Sequence, residues 1–308
     1  MTARTFCRGT LLLAVAAAVV SGPRLAARSY APSDKSIFVS VLDESGKPVK
    51  DIVAEDLRLR EDGTDREIVS VNPAAQPLQV VVLVDTTDGA AELTQDIRSS
   101  INGFIQHLHT ASPDAAVSLM EFGQAAVTAI PFSTSNDDLQ KALNRLVPKP
   151  NANSVLLEAI HQASDDLAKR PSPRRAIVSL NVEPSDEQSR EDPNRVRDSL
   201  RKSVAQLWSV SLQRSAISTK MSNSSAQSGQ KINAKRDVVL QAFTKSTGGD
   251  RQMIVGQSAI LTLLQSYADA LTSQYEVTYK RPSGSAQVVQ VGSVRPGVKL
   301  HASGFAPQ

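Results

Sequence analysis

The stretch from Gln79 to Asp85 reads Gln-Val-Val-Val-Leu-Val-Asp, and it decides the fold class of this chain. An unbroken run of apolar, mostly β-branched residues is typical of a parallel strand that is buried on both faces. The run ends in a carboxylate, and the polar residues 86–88 follow at once. Open α/β sheets bind ligands at the carboxyl ends of their strands, so Asp85 lies where such a sheet places a binding site.

Stretches with strand and helix patterns alternate over residues 78–273. Such alternation is typical of a mostly parallel sheet covered by helices on both faces, so we predict a doubly wound, Rossmann-like α/β domain. The pair Gly123-Gln124 separates two apolar segments, 115–122 and 125–131, which predicts an antiparallel hairpin at one edge of the sheet. The other strands are predicted at 175–182, 208–212 and 251–255, and the helices at 90–108, 137–146, 154–168, 193–207, 236–246 and 258–273.

The two ends of the chain outside this domain show the two-residue period of strands. Residues 35–72 contain alternating apolar positions, such as Ile37 and Val39, and turn sequences such as Glu61-Asp62-Gly63. Residues 274–308 contain several stretches of alternating apolar and polar residues, each typical of a strand. These are more strands than the end of a simple doubly wound sheet requires. We therefore predict that both ends pack together as one small β annex.

One stretch interrupts the pattern of the main domain. Residues 218–234 are rich in Ser, Asn, Gln and Lys and contain almost no apolar residues. A segment of this composition gains little free energy from burial, so we predict a mobile insertion loop.

The end of the first strand resembles the metal-binding motif of von Willebrand factor type A domains. That family places Asp-x-Ser-x-Ser after its first strand, and this chain has Asp85, Thr87 and Gly89 at the three positions. The resemblance implies the α/β fold deduced above and a protein-interaction function. In such domains a divalent metal at the carboxyl edge of the sheet leaves one position for a carboxylate of the partner.

A narrower likeness covers nearly all of the chain after its amino-terminal segment. Bacterial von Willebrand factor A-related proteins, first noted in Acidobacteria, open with an Asp-x-x-Gly-x-x-Val pattern and a Glu-Asp-Gly turn. The chain is similar at residues 43–49 and 61–63. They close with Gln-Tyr, Arg-Pro-Gly and Gly-Tyr/Phe, matched here at 274–275, 295–297 and 304–305. This family carries no known biochemical activity with it.

The resemblance implies a metal site whose ligands this chain supplies in part. Asp85 and Thr87 can contribute two oxygens, and Ser154 stands where the family has a threonine before a helix. Gly89 has no side chain to offer, and Asn181 replaces the second acid of the family. Mg²⁺ and Mn²⁺ prefer charged oxygen ligands, so we predict a degenerate site that binds such an ion weakly or not at all. Without a metal, Asp85 and Thr87 would simply cap the following helix.

These observations predict an interaction module rather than an enzyme, with a protein partner bound at the carboxyl edge of the sheet. Two alternatives stay open: an enzyme that uses Asp85, Asp88 and Glu183 as an acidic cluster, or a purely structural envelope protein. No serine has the Gly-x-Ser-x-Gly context of a nucleophile and no phosphate-binding loop follows a strand, so no catalytic residue or organic cofactor is assigned. Scattered basic residues and an aromatic content of 4% argue against nucleic acid binding.

The amino terminus has the order of a secretory leader. Arg4 and Arg8 precede an apolar stretch at residues 11–20, and small residues follow. We predict a signal peptide at residues 1–27 and a secreted or periplasmic mature protein without a membrane span, with an uncleaved amino-terminal anchor as the alternative. Cleavage would remove Cys7, the one cysteine, and three arginines, which equal the formal net charge of +3. The mature chain would be near neutral and free of thiols.

The exported protein should begin close to Arg28. Its intact mass, measured by mass spectrometry after purification from the periplasm or the medium, should correspond to residues 28–308. A mass that includes residues 1–27 would support the anchored alternative.

Overall fold

The computed structural model describes residues 33–183, 185–213, 226–282 and 286–307. The leader predicted at residues 1–27 lies outside the described residues. Within these ranges, no helix combines the length and the apolar sequence that spanning a bilayer would require. The strands are β1 (Ser33–Asp43), β2 (Leu57–Glu61), β3 (Thr64–Arg66), β4 (Ile68–Pro73), β5 (Gln79–Val84), β6 (Ala116–Glu121), β7 (Val127–Ser133), β8 (Arg175–Glu183), β9 (Gln206–Gln213), β10 (Arg251–Ile254), β11 (Tyr275–Arg281), β12 (Val289–Ser293) and β13 (Val298–Ala302). The helices are α1 (Thr94–Ala111), α2 (Asn136–Arg145), α3 (Leu156–Ala168), α4 (Pro193–Ser203), α5 (Ala226–Ser246) and α6 (Ala259–Thr272), with short 3-10 helices at Ala54–Asp56 and Asp88–Leu93.

A six-stranded sheet forms the centre of the main domain, with the strand order β10-β9-β8-β5-β6-β7. Neighbouring strands are parallel except β6 and β7, which form the antiparallel hairpin predicted from the sequence. β5 lies between β8 and β6, and all six of its residues are buried, as its unbroken apolar run predicts. The predicted fold class is confirmed.

β5 divides the hydrophobic core of this sheet into two layers, because successive side chains of a strand point to opposite faces. Val80, Val82 and Val84 belong to the layer that includes buried residues of α1, α2 and α6. Val81 and Leu83 belong to the layer that includes buried residues of α3, α4 and α5. Full burial of one such side chain stabilises the fold by about 1.5–3 kcal/mol, so a polar substitution in β5 disturbs one layer or the other.

Two helices differ from the predicted ones near their ends. α4 ends at Ser203 rather than at residue 207, because Val204 adopts a left-handed conformation with φ of 53° and β9 begins at Gln206. The helix predicted from residue 90 begins as a 3-10 helix at Asp88 and becomes α-helical at Thr94. Both differences concern single turns, so the order of elements is unchanged.

α5 begins at Ala226, ten residues before the predicted start at 236. The loop predicted at 218–234 is therefore wrong for residues 226–234, whereas residues 218–225 lie outside the described part of the chain. Ala, Gln and Lys are good helix formers, and the stretch contains all three. Apolar periodicity does not reveal a helix whose sequence is mainly polar, which explains the error.

The remaining strands form the predicted β annex from both ends of the described chain. β1 pairs antiparallel with β11 and with β13, in a four-stranded sheet of order β13-β1-β11-β4. A second sheet has three strands, in the order β12-β2-β3. Ile37 and Val39 of β1, Leu57 of β2 and Val277 of β11 are buried in one core cluster. Residues from both ends of the chain therefore share one core.

Glu61, the last residue of β2, links the two sheets of the annex. Its side chain is fully buried, and its Oε1 accepts hydrogen bonds of 2.7 Å from the Tyr279 hydroxyl and from Nε of Arg281. Its Oε2 accepts a longer bond, of 3.2 Å, from Nε of Arg66. Tyr279 and Arg281 belong to β11, in the other sheet. Burial and the bond to Glu61 raise the pKa of the Tyr279 hydroxyl, which keeps it a hydrogen-bond donor.

Glu61→Gln should lower the free energy of unfolding by about 3 kcal/mol, because it leaves the buried Arg281 without its counter-charge. Asp65→Asn is the matched control, since Asp65 pairs with Arg60 on the neighbouring strand but both side chains are more than half exposed. The control should lower the free energy by about 1 kcal/mol at most. Urea unfolding measures both variants, and equal losses would contradict the role given to Glu61.

Candidate functional site

Asp85 links the carboxyl end of β5 to the neighbouring strand β8 by a hydrogen bond. Its side chain is 2% exposed. Oδ1 accepts a hydrogen bond from the backbone N–H of Thr87, and Oδ2 accepts one from the backbone N–H of Val182, each at 2.8 Å. Burial raises the pKa of this carboxyl, while the contacts with Thr87 and Val182 and the charge of Arg236 oppose the shift. Both carboxylate oxygens are thus engaged within the protein.

Further hydrogen bonds join the loops at this edge. The Thr86 hydroxyl accepts a bond of 3.1 Å from the N–H of Gly123, and the Thr86 carbonyl accepts one of 2.9 Å from the N–H of Lys149. A Cβ at position 123 would lie 2.4 Å from the Thr86 carbonyl oxygen, so a larger residue requires a backbone shift. The N–H of Asp88 donates to the Ala152 carbonyl at 3.2 Å. The loops that follow β5 and β6 are therefore held to each other and to the loop before α3.

Thr87, the second position of the predicted motif, is completely buried. Its hydroxyl oxygen has no hydrogen-bond partner among the described residues. It stands at the N-cap of the 3-10 helix without a side-chain capping bond. Asp88 is exposed and Gly89 is half-buried. The side chain of Thr87 is therefore enclosed by the protein, and Asp88 is the residue of this loop whose side chain solvent reaches.

Ser154 is also completely buried, and its hydroxyl is bonded to a carboxylate that the sequence analysis did not single out. Oγ of Ser154 donates a hydrogen bond of 2.7 Å to Oε2 of Glu187. The backbone of Ser154 bonds to the two residues that flank Glu187, at 2.8 and 2.7 Å. Burial raises the pKa of the Glu187 carboxyl, and contacts with Ser189 and Ser154 and the charge of Arg236 lower it.

Asn181, on β8, is bonded to the neighbouring strand β9. Its amide nitrogen donates to the hydroxyl of Ser211 at 2.8 Å and to that of Ser209 at 3.3 Å. Its Oδ1 is buried and has no hydrogen-bond partner within the described ranges. The amide that replaces the acid of the family motif is therefore tied to serines of the sheet.

A buried arginine, also missed by the sequence analysis, pairs with Glu183 at the end of β8. The guanidinium of Arg236, from α5, forms an ion pair with Oε2 of Glu183 and donates to the carbonyl and hydroxyl oxygens of Ser185, at 2.9 and 3.3 Å. Arg236 is 1% exposed. Burial raises the pKa of Glu183, and the charge of Arg236 lowers it. The sequence does not indicate that Arg236 is buried, because charged residues are normally exposed to solvent.

These contacts test whether the predicted ligands fit a divalent metal. Asp85 already accepts hydrogen bonds on both oxygens, and the Ser154 hydroxyl is bonded to Glu187. Among the described residues, no group of three or more His, Cys, Asp or Glu side chains is arranged to hold a metal ion. Mg²⁺ demands near-ideal octahedral coordination by oxygen, and it gives up water reluctantly. The residues at this edge therefore do not fit such an ion.

The three acids of the enzyme hypothesis have different surroundings. Asp85 is buried and bonded to the backbone, and Glu183 is paired with Arg236. Asp88 is exposed. A catalytic acid or base must reach a proton of the substrate, and Asp88 is the accessible one of the three. The enzyme hypothesis stays a prediction.

Residues 80–180 match the family model of the von Willebrand factor type A domain. This part of the chain is thus similar to a von Willebrand factor type A domain. The match begins in β5 and ends in β8, so it includes Asp85, Thr87 and Ser154, while Asn181 and Glu183 follow directly. The family resemblance of the first strand is therefore confirmed.

Solved structures similar to this chain share little sequence with it. The conserved hypothetical protein BatB from Bacteroides thetaiotaomicron is 16% identical, with a TM-score of 0.46, and the likeness covers 64% of this chain and 100% of that one. An aerotolerance-related membrane protein from Bacteroides fragilis NCTC 9343, with multiple mutations to serines, is 16% identical, with a TM-score of 0.43 and coverages of 62% and 98%. For a von Willebrand factor type A protein from Catenulispora acidiphila the identity is 9%, the TM-score 0.43 and the coverages 92% and 76%. The comparison with curated proteins gives no match.

Ser154→Ala should lower the free energy of unfolding by about 2 kcal/mol, because it leaves the buried carboxyl of Glu187 without this donor, and an unsatisfied buried polar group costs about 1–3 kcal/mol. Ser179→Ala is the matched control: Ser179 is equally buried, but its hydroxyl donates to the neutral Ser209 hydroxyl, at 3.0 Å. The control should lose about 1 kcal/mol. Chemical denaturation measures both, and a loss for Ser154→Ala no larger than that of the control would contradict the role given to the bond between Ser154 and Glu187.

Proposed function

We propose that this protein is an exported interaction module that binds a protein partner at the carboxyl edge of its von Willebrand domain. The proposal rests on one observation: hydrogen bonds hold the loops at this edge to one another, while the tips of these loops are exposed. The exposed tips come from four loops and carry Asp88, Gln124, Asn151 and Gln188. A protein partner that contacts all four would cover the edge of the sheet.

The hydrogen bonds between these loops support a binding role, because an ordered surface loses less conformational entropy when a partner docks. The N–H of Gln124 donates to the Asn153 carbonyl at 2.9 Å, and the N–H of Gln188 donates to the Ser154 carbonyl at 2.7 Å. These bonds hold the tip of the β6–β7 hairpin and the loop after β8 against the loop before α3. The surface is thus preorganised without help from a bound ion.

The chemistry of the edge supports recognition without a metal. Gly89 and Asn181 depart from the family motif, and the oxygens of Asp85 and Ser154 are already bonded. We therefore propose a degenerate metal site and a partner that is bound by direct contacts with the exposed loop tips. The order of basic, apolar and small residues at the amino terminus supports export to the periplasm or the medium.

Asp88→Arg and Gln188→Arg should each reduce capture of the partner from an envelope extract, because each places a new charge on the proposed surface. The protein is immobilised, cross-linked to its ligands and analysed by mass spectrometry. A loss of roughly tenfold is expected for a protein bound at this surface. Addition of EDTA should leave the capture by the unaltered protein unchanged.

Lys169→Glu is the control for the opposite edge of the sheet, since Lys169 is exposed and precedes β8. It should capture the same proteins as the unaltered chain. Loss of capture in this control, or in EDTA, would contradict the proposed surface or its independence from metal.

A further inference from the structure

We propose that a cavity between the β annex and the amino edge of the central sheet, where β8 and β9 begin, binds a small carboxylic acid with an apolar body. The volume of this cavity is about 230 Å³. An engineered apolar cavity of about 150 Å³ holds benzene, so there is room here for a molecule of about ten non-hydrogen atoms. The cavity lies at the edge opposite to the proposed partner surface, so this inference does not depend on the proposed function.

Both parts of the protein contribute walls to the cavity. Arg175 and Gln206, the first residues of β8 and β9, line it from the central sheet. Phe38 lines it from β1, on the face opposite to the annex core. On the same face, the hydroxyl of Ser40 donates a hydrogen bond of 2.6 Å to the Ala270 carbonyl of α6, so this face of β1 packs against the main domain. Junctions between domains are common places for ligand sites.

The side chains around the cavity carry positive charge. Arg175 and Lys202 line it, and none of the described residues that line it is acidic. The guanidinium of Arg175 has five N–H donors, and three of them bond to the carbonyl oxygens of Ser172, Ser203 and Arg170, at 2.8, 2.9 and 2.6 Å. The other two have no partner in the described part of the chain, so they can donate to a carboxylate in the cavity.

A second guanidinium lies behind the first lining residues. Arg174 is 4% exposed, and its Nε donates a hydrogen bond of 2.9 Å to Oε1 of Gln274, which lines the cavity. The other bonds of Arg174 go to backbone carbonyl oxygens. Both arginines are thus bonded to neutral oxygens, whereas buried charges are normally paired with an opposite charge. A bound carboxylate would supply that charge.

The apolar part of the lining includes a strained residue. Val204 lines the cavity with φ of 53° and ψ of 26°, a left-handed conformation that is rare for a β-branched residue. Glycine would adopt this conformation without strain, and strained residues of this kind cluster at functional sites. The half-buried side chain of Val204 gives the cavity an apolar wall that glycine would not give. The body of the acid would pack against this wall.

Octanoate, an acid of the expected size, should bind to the full chain with a Kd of about 100 µM or less. Octan-1-ol has the same apolar body without the charge, and acetate has the charge without the body. Each should bind at least about tenfold more weakly, because it lacks either the charge-assisted hydrogen bonds or the apolar contact. Isothermal titration calorimetry measures the three affinities, and octanoate should also raise the Tm of the protein.

Variants locate the bound acid. Lys202→Gln should weaken octanoate binding roughly twofold to fivefold, because it removes an exposed charge at the cavity. Lys141→Gln is the matched control and should leave the affinity unchanged. Lys141 is as exposed as Lys202, and each lies near one acid, Asp138 at 3.7 Å and Asp165 at 3.9 Å.

Val204→Gly separates binding from stability. It should weaken octanoate binding roughly fivefold because the apolar wall is lost. The urea midpoint of unfolding should stay unchanged or rise, because the left-handed strain is relieved.

The proposal is wrong if octanoate does not bind, or if octan-1-ol or acetate binds as tightly as octanoate. Octanoate binding that neither Lys202→Gln nor Val204→Gly weakens would place the acid elsewhere on the protein. An equal loss of affinity in Lys141→Gln and Lys202→Gln would show that the overall charge, and not this cavity, attracts the anion.

Discussion

The buried carboxylate of Asp85 is the constraint on which the arrangement of the carboxyl edge depends. β5 is buried on both faces, so the acid at its end has lost most of its water. Backbone N–H groups of Thr87 and Val182 replace that water, one on each oxygen. The first of these bonds bends the chain into the 3-10 helix, and the second ties β5 to β8. Both the loop and the neighbouring strand are thereby set relative to the central strand.

From this point the other polar groups of the edge form a connected set. The loop after β8 runs back to Ser154 and is held from the other side by Arg236. Glu187 of this loop is therefore buried between two elements that are distant in sequence. A buried charged group is stable only when it has a partner of opposite charge or hydrogen-bonding groups around it. Arg236 is therefore needed for the structure of this edge.

The sequence was sufficient to predict the elements that leave a local signal in it. Three such signals are the unbroken apolar run of β5, the short turn at Gly123 and the alternation within β1. The structure contains the predicted strand or hairpin in each case. The first turns of α5 leave no such signal because they are polar. Arg236 and Glu187 could not be found either, since their burial depends on contacts across 53 and 33 residues of sequence. The motif positions were located, but the hydrogen bonds that engage them were not foreseeable.

The pairing of β1 with β11 has a consequence for synthesis of the protein. The side chains of Ser36 and Thr278 share a hydrogen bond of 3.0 Å although 242 residues separate them. On the ribosome, β1 emerges before the whole central sheet and has to wait for its partner strand until that sheet is complete. Pairings of such long range form slowly, because the chain must first lose the entropy of a long loop. During this delay the apolar face of β1, with Ile37 and Val39, is the part of the nascent chain that most needs protection from aggregation.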